Sequence, residues 1–360
     1  MKRLNSIDTF RGISILWMFL GHLLDWWLIE QDFWFYKNFI FNIVDPIGSS
    51  AFIFIAGVST AISLKMKYIR AEISDKYDVR TIKKEYLFRS FLILIVALIY
   101  NVSIAITLLN PLYIWTWFVL LTIAISLLIA WPLFKLPILY RIIIGIAIWI
   151  GNQYLLNLLL PYQGEGNFFG LVFHIFYHSL DLDVILSFFP FFLFGGVIGE
   201  LIFKIYQIND NKLMKKALKK QLIYPLIFIG LILIFLGITI QFPDFFWRNR
   251  SLSWMIYTLG VDITLLMVFT IFEEFIHLKK RMKKSILFYF SYYSLTIYLL
   301  HNLLFFIFYK QISIYYIWIF ILVVYLAVGY LLKVLYKKFG YKLSLKYQIG
   351  RLAKGISRSI

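Results

Sequence analysis

Four ionisable residues share one face of the first hydrophobic segment, which reads DTFRGISILWMFLGH from Asp8 to His22. At 100° per residue of helix, Arg11 lies about 20° from His22 around the axis and Asp8 about 40°. Asp25 lies about 60° away on the same wheel. A charged group at the centre of a bilayer costs about 2.5–3.5 kcal/mol, so intramembrane ionisable residues are functional candidates. Because imidazole can accept a proton near neutral pH, His22 is a candidate base.

Two more ionisable residues lie deep in apolar segments, Asp262 in TLGVDITLL and His301 in SLTIYLLHNLL. At 1.5 Å per residue, His22 and His301 lie about 18 and 22 Å from the inner membrane edge, and Asp262 about 13 Å from the outer edge. In a core about 30 Å thick these are neighbouring layers. We therefore expect the three to converge on one cavity, with Asp262 pairing with a histidine and holding its tautomer. A purely structural hydrogen bond or salt bridge to a neighbouring helix is open for both Asp262 and His301.

The composition excludes a soluble domain, because 62% of the residues are hydrophobic and only 15% are charged. Spans of about 20 apolar residues predict an all-α polytopic membrane protein with about ten transmembrane helices and both termini cytoplasmic. We expect one transmembrane domain over residues 1–360. The predicted spans are 10–29, 47–66, 88–108, 112–132, 138–159, 184–205, 221–241, 253–275, 286–308 and 313–335.

The net charge of +18 is distributed as in membrane proteins. If the helices alternate, all but four of the 36 Lys and Arg fall in cytoplasmic segments, a positive-inside bias that argues against a nucleic-acid partner. The exceptions are Lys37, Arg248, Arg250 and Lys310. The basic segments can contact anionic lipid headgroups.

The most polar segment, from Lys65 to Arg89, predicts a short amphipathic element, either an ordinary solvated loop or a site for an anionic ligand. Without cysteine, no acyl-cysteine intermediate can form.

The predicted outer loop from Pro161 to Asp183 contains two histidines at helical spacing. His174 and His178 lie at i and i+4, and Asp181 and Asp183 follow. A metal site and an amphipathic interfacial helix that caps an outer cavity are both compatible with this pattern. The interfacial helix is our prediction, and no metal is expected.

Four segments resemble, in matching order, the integral-membrane acyltransferases, in particular the heparan-alpha-glucosaminide N-acetyltransferase-like family. RLNSIDTFRGISILWMFLGH resembles the opening helix of that family and SSAFIFIAGVSTAISLK its second helix. SLDLDVILSFFPFFLFGGVIGE and SYYSLTIYLLHNLL resemble its Asp and Pro segment and its late Ser, Tyr and His motif. The resemblance therefore extends over most of the chain.

This resemblance implies transfer of an acyl group, typically acetyl from cytoplasmic acetyl-CoA or another acyl-CoA, to a sugar or glycan on the outer side of the cell membrane. His22 matches the intramembrane histidine of related polysaccharide O-acyltransferases, and Arg11 matches their partner arginine. His22 would act as general base or as acyl carrier. Arg11 and Asp8 would either hold a CoA phosphate at the cytoplasmic mouth or simply pair with each other. The choice between O- and N-acylation and a homodimeric assembly are left open.

Two other classes compete with the enzyme. A transporter or proton-coupled carrier could use the same polar line of His22, Asp262 and His301. A non-catalytic membrane scaffold is the second. The lack of an evident internal repeat argues against the carrier, since many carriers consist of duplicated halves.

Overall fold

The structure is a computed structural model, and it describes residues 3–36, 47–73, 78–178, 182–240, 251–276 and 285–359. Its helices in chain order are α1 Asn5–Trp27, α2 Ser49–Ile73, α3 Val79–Thr107, α4 Val119–Leu133, α5 Ile138–Leu159, α6 Phe168–Phe176, α7 Ile185–Tyr206, α8 Asn211–Ala217, α9 Tyr224–Ile240, α10 Leu252–Glu274, α11 Ile286–Tyr292, α12 Ser294–Leu300, α13 Ile314–Phe339 and α14 Leu345–Ser359. Short helical turns are Glu30–Asp32, Phe33–Phe35, Pro111–Trp115 and Leu160–Tyr162, with a π-helical turn at Leu218–Ile223 and a 3₁₀ helix at His301–Phe306.

The prediction of an all-α polytopic membrane protein is confirmed. Nine helical stretches of the described chain are long and apolar enough to cross a membrane. The remaining predicted span, the ninth in chain order at 286–308, is divided into α11, α12 and the 3₁₀ helix His301–Phe306. Helices suit this role because each satisfies its own backbone hydrogen bonds in lipid. The cytoplasmic location of the termini stays a prediction.

The chain forms two compact units. The first contains Ile53–Val261 and Ile349–Ile360, and the second contains Lys2–Phe52 and Asp262–Gln348. The unit boundaries fall inside α2, α10 and α14. The prediction of one domain over residues 1–360 remains a prediction.

In the first unit, α7 is almost entirely buried and packs against α4 and α5. Its backbone also lies against α2, and two glycines permit this approach. A Cβ atom on Gly57 would lie 2.1 Å from the carbonyl oxygen of Phe192, and one on Gly195 would lie 2.1 Å from that of Phe54. Small residues allow such contacts between membrane helices.

The polar segment from Lys65 to Arg89 differs from the separate amphipathic element that the sequence predicts. Helix α2 continues through Ile73 and α3 begins at Val79, so the described part consists of the ends of two long helices rather than a separate amphipathic element. The ion pair between Lys67 and Glu85, at 2.8 Å, joins these ends. Residues 74–77 lie outside the described part of the chain.

In the second unit, α1 packs against α11 and α13. A Cβ atom on Gly12 would lie 2.3 Å from the carbonyl oxygen of Leu287, so α1 and α11 touch through their backbones. The start of α1 is capped by a carboxylate from α10. Glu273 accepts hydrogen bonds from the backbone N–H groups of Asn5 at 3.0 Å and Ser6 at 2.7 Å. This carboxylate satisfies donors that a helix N-terminus otherwise leaves unpaired.

Helix α6 forms where the sequence predicts a helix in the outer loop. The Asn167 side chain accepts a hydrogen bond from the Gly170 N–H at 2.8 Å and caps the helix. At its other end, the indoles of Trp115 and Trp117 donate to the Ile175 carbonyl at 3.0 and 2.8 Å. The interfacial location of α6 and its capping role stay predictions.

Candidate functional site

Two of the predicted site residues meet in the second unit. The imidazole rings of His22 and His301 lie 4.9 Å apart, centroid to centroid. The indole of Trp26 stacks on His22 at 4.9 Å with an interplanar angle of 17°, and it lies 5.7 Å from His301 at 21°. His301 is buried, whereas His22 and Trp26 are half-buried. We call these three residues the histidine cluster.

The break in the predicted ninth span places His301 beside His22. Helix α12 ends at Leu300, and His301 begins the 3₁₀ helix. The indole of Trp27 donates to the Leu304 carbonyl at 2.9 Å, which holds the 3₁₀ helix against α1. Such irregular backbone is tolerated at membrane depth where it is buried in protein or lines a cavity.

The end of α1 is also fixed to the chain that follows the 3₁₀ helix. The N–H of Lys310 donates to the Trp26 carbonyl at 2.8 Å, and the N–H of Ile312 donates to the Trp27 carbonyl at 2.8 Å. The N–H of Ile29 in turn donates a hydrogen bond to the Ile312 carbonyl at 3.1 Å. These main-chain bonds fix the backbone at the end of α1, next to the histidine cluster, against the chain that follows the 3₁₀ helix.

A backbone contact sets the tautomer of His301. Its Nδ1 lies 2.5 Å from the carbonyl oxygen of Tyr298. Because a carbonyl oxygen only accepts hydrogen bonds, Nδ1 must carry the proton in this contact. In the neutral ring the lone pair is then on Nε2. His301 therefore has the form that a general base requires.

Asp262 does not form the predicted bond to a histidine. It is fully buried in α10, and neither carboxylate oxygen has a hydrogen-bond partner in the described chain. Its polar neighbour is the Ser50 hydroxyl of α2, in a contact that lacks regular hydrogen-bond geometry. Depth along a helix can be read from sequence, but direction around the axis cannot, and Asp262 is directed toward Ser50.

Asp8 and Arg11 form an ion pair near the start of α1. Arg11 Nη1 lies 3.6 Å from Asp8 Oδ1, and both side chains are 8% exposed. Asp8 also accepts from Arg3 Nε at 2.5 Å and from the Ser291 hydroxyl at 3.1 Å. Of the two interpretations of this pair, mutual pairing is therefore present in the structure. The contact of Arg11 with CoA stays a proposal.

The outer-loop histidines form a second pair of rings. The centroids of His174 and His178 are 4.7 Å apart, and His178 Nε2 lies 3.2 Å from the Leu112 carbonyl oxygen. Burial lowers the pKa of both side chains, and for His178 the nearby His174 lowers the pKa further. Asp181 lies outside the described residues. Among the described residues, no group of three His, Asp or Glu side chains could hold a metal ion.

The first unit contains a cavity of about 230 Å³ with a basic lining. We call it the basic cavity, and its lining residues are Ala61, Leu64, Lys65, Tyr68, Trp131, Phe134, Lys135, Arg141 and Glu200. Glu200 Oε1 lies 3.1 Å from Lys65 Nζ, and its other oxygen pairs with Arg141. Arg141 and Glu200 are buried, whereas Lys135 is exposed. The cavity thus combines a buried ion pair with cations that solvent can reach.

The fold and the histidine cluster define a polytopic membrane protein with a polar site built at a broken helix. The family model of the heparan-alpha-glucosaminide N-acetyltransferase catalytic domain matches residues 3–239, about two thirds of the chain. The chain therefore belongs to this family, which implies an acetyltransferase. The match includes His22 and ends before Asp262 and His301. Comparison with curated proteins gives no match.

Three residues of these sites carry signals that the sequence analysis passed over. Trp26 lies four residues after His22, which places it on the same helix face, but aromatic residues are too common in this chain to single it out. Arg141 and Glu200 are ionisable residues at the ends of apolar segments. In the sequence, Arg141 stands out only as part of the positive-inside bias. Its position at the end of an apolar segment does not reveal that its partner, Glu200, lies 59 residues further along the chain.

Proposed function

We propose that this protein is an acyl-CoA-dependent transmembrane acyltransferase. It takes an acyl group, most simply acetyl, from acyl-CoA in the cytoplasm and delivers it to a hydroxyl or amine of a sugar or glycan on the outer side of the cell membrane. The observation that carries the proposal is the histidine cluster, in which two imidazoles lie 4.9 Å apart at a broken helix. Family membership supports the acetyl group.

The direct mechanism needs one base. An imidazole removes the proton from the acceptor hydroxyl or amine as the acceptor oxygen or nitrogen attacks the thioester carbonyl. The C–S bond then breaks, and the CoA thiolate takes the proton back from the imidazolium. In the alternative mechanism a ring nitrogen of His22 attacks the thioester carbonyl, the C–S bond breaks and CoA leaves as its thiolate. The acceptor oxygen or nitrogen then attacks the acyl-imidazole, its C–N bond breaks to release His22, and the acceptor's proton ends on the thiolate. His301, with its lone pair on Nε2, then supplies the base for the second step.

Trp26 and the ion pair of Asp8 and Arg11 receive supporting roles in this proposal. Trp26 holds the His22 ring by stacking. Asp8 and Arg11, paired at 3.6 Å, fix the start of α1 and hence the position of His22 along the membrane. The catalytic role predicted for Asp262, which is buried beside Ser50, stays a prediction. Lipid and acyl-CoA are the partners that this function requires.

Labelled acetyl-CoA tests the function. Purified protein in nanodiscs is incubated with [¹⁴C]acetyl-CoA and either an amino sugar or a sugar that offers only hydroxyls. We expect wild type to label an acceptor, or slowly to hydrolyse the thioester, and His22→Ala to lose both. His174→Ala, which changes a histidine outside the cluster, is the matched control and should retain activity. Absence of turnover with any acyl-CoA, together with substrate flux in liposomes, would favour the carrier instead.

A further inference from the structure

The basic cavity contains more positive charge than its one carboxylate needs. Lys65, Lys135 and Arg141 line it, and Glu200 is the acid in its wall. Glu200 pairs with Lys65 and Arg141, and a third cation, Lys204, has its Nζ 3.5 Å from the same carboxylate. A buried carboxylate is adequately compensated by one or two well-placed cations. The cavity therefore has cationic capacity left for a ligand.

Lys135 contributes one positive charge to this excess. Its ammonium lies 5.7 Å from the centre of the Trp131 ring, and no carboxylate of the described chain pairs with it. The Nε of Arg141 is also buried without a hydrogen-bond partner among the described residues. The Arg141 guanidinium pairs with Glu200 through one nitrogen, and the neighbouring Lys135 ammonium pairs with no carboxylate of the described chain. Together these two cations are suited to bind an anion. Arginine and lysine together are the side chains that bind phosphate most often.

The size and walls of the cavity narrow the class of anion. At about 230 Å³ it is smaller than the 300–1,000 Å³ typical of pockets for drug-sized ligands. It therefore suits a phosphate or diphosphate group rather than a whole cofactor. Tyr68, Trp131 and Phe134 add aromatic surface beside the cations. All the lining cations belong to segments that the charge bias places in the cytoplasm.

We propose that the basic cavity binds a phosphate ester, held by Lys65, Lys135 and Arg141. Two sources carry this chemistry on the cytoplasmic side: the phosphorylated nucleotide end of acyl-CoA and the headgroup of an anionic phospholipid. The nucleotide source rests on the proposed function, whereas phosphate binding itself does not. In either case Glu200 orients the cations and keeps the cavity from carrying a larger net charge.

Binding measurements on the full chain test this site. Wild type, Lys65→Gln and Lys135→Gln are placed in phosphatidylcholine nanodiscs and titrated with CoA and with adenosine 3′,5′-bisphosphate. A parallel series adds phosphatidylglycerol and measures its retention by native mass spectrometry. The matched control is Lys204→Gln, because Lys204 contacts the same carboxylate but is 59% exposed and does not line the cavity. Arg141 is left unchanged, since it is the buried partner of Glu200 and its loss would disrupt the buried ion pair.

We expect each lining variant to weaken binding about tenfold, as for one lost charge-assisted hydrogen bond, and Lys204→Gln to bind as wild type does. Weakened binding of both nucleotides identifies acyl-CoA as the source. Weakened phosphatidylglycerol retention alone identifies the lipid. If CoA binds and neither lysine variant alters any affinity, the cavity proposal is wrong and the proposed function stands. If phosphatidylglycerol binding depends on the lysines but CoA does not bind wild type, the cavity proposal stands and the proposed function fails.

Discussion

The histidine cluster and the basic cavity use polar groups in opposite ways. In the cluster, the Trp26 ring stacks on those of His22 and His301, and a backbone carbonyl sets the His301 tautomer. In the cavity, Glu200 joins Lys65 and Arg141 through ion pairs. Closely spaced imidazole rings suit the movement of a proton, whereas clustered cations suit the binding of an anion. The difference teaches that chemistry and donor binding can be assigned to separate residues and tested separately.

The largest expected effect is on the chemical step. His301→Ala should lower kcat about 10²–10⁴-fold, because it removes a candidate base that is already in the required tautomer. The affinity for CoA should not change. Steady-state kinetics with acetyl-CoA, beside direct binding of CoA, makes this measurement. If the basic cavity binds the nucleotide end of acyl-CoA, the cavity variant Lys65→Gln should behave in the opposite way, raising KM for acyl-CoA while kcat stays within about twofold. If both variants changed the same parameter, the division between the two regions would be wrong.

The packing of α1 against α11 should affect the free energy of unfolding more than the rate of acyl transfer. Gly12→Ala places a methyl group 2.3 Å from the Leu287 carbonyl oxygen, so α1 and α11 must move apart. We expect a loss of about 1–3 kcal/mol in the free energy of unfolding, as for other overpacked positions. Thermal unfolding in detergent measures it.

Gly151→Ala is the matched control for that variant, because nothing lies within 4 Å of the added Cβ. In the interior of α5 alanine is the better helix former, so this variant should be neutral or stabilising by up to about 1 kcal/mol. Equal destabilisation by the two substitutions would show that α1 and α11 are not in backbone contact.

Removal of the stacking partner of His22 should have a smaller effect. Trp26→Ala should lower kcat about tenfold, since an aromatic pair contributes about 0.5–1.5 kcal/mol to holding a ring in place. Trp26→Phe should restore most of the rate because it keeps a ring on the His22 face. The comparison uses kcat at saturating acetyl-CoA. Equal kcat values for Trp26→Ala and Trp26→Phe would show that the stacking of Trp26 on His22 does not contribute to the histidine cluster.

The smallest expected effect concerns His174 and His178 of the predicted outer loop. This pair tests whether two closely spaced histidines are sufficient for acetyl transfer. Burial lowers the pKa of His174 and His178 below the usual 6.5. Below about pH 6.5 the unfolded chain therefore binds more protons than the folded one, and stability falls as the pH falls. Thermal unfolding from pH 7.5 to 5.5 should show a smaller decline for His174→Gln than for wild type, while acetyl transfer at pH 7.5 is unchanged. A larger decline in the variant would contradict the assigned direction.

Much of the fold could be predicted because hydropathy and charge bias act locally. Helix α1 and the shared face of Asp8, Arg11 and His22 follow from composition and helical geometry alone. The break at His301 could not be predicted, since SLTIYLLHNLLFF is continuously apolar and hydropathy treats it as one span. The break is held by Trp27, whose indole bonds to the Leu304 carbonyl 277 residues away.

Contacts between distant segments also explain what the sequence analysis missed at the two sites. Asp262 lies at a depth that sequence predicts, but its direction depends on how α10 packs, and it is directed toward Ser50. The basic cavity assembles Lys65, Arg141 and Glu200 from three helices. Each of these residues, read alone, is an ordinary charge at the end of a span. Only the packing of the first unit shows that they surround one space.

The most direct test of the central claim is a double-mutant cycle on His22 and His301. Acetyl transfer is measured for wild type, His22→Ala, His301→Ala and the double variant, each shown to be folded by its thermal unfolding. If the two rings act as one catalytic unit, the double variant should lose no more than about tenfold beyond the more impaired single variant. Losses that multiply would mean that the rings act independently, and full activity in either single variant would contradict the assignment of the histidine cluster as the acyl-transfer site.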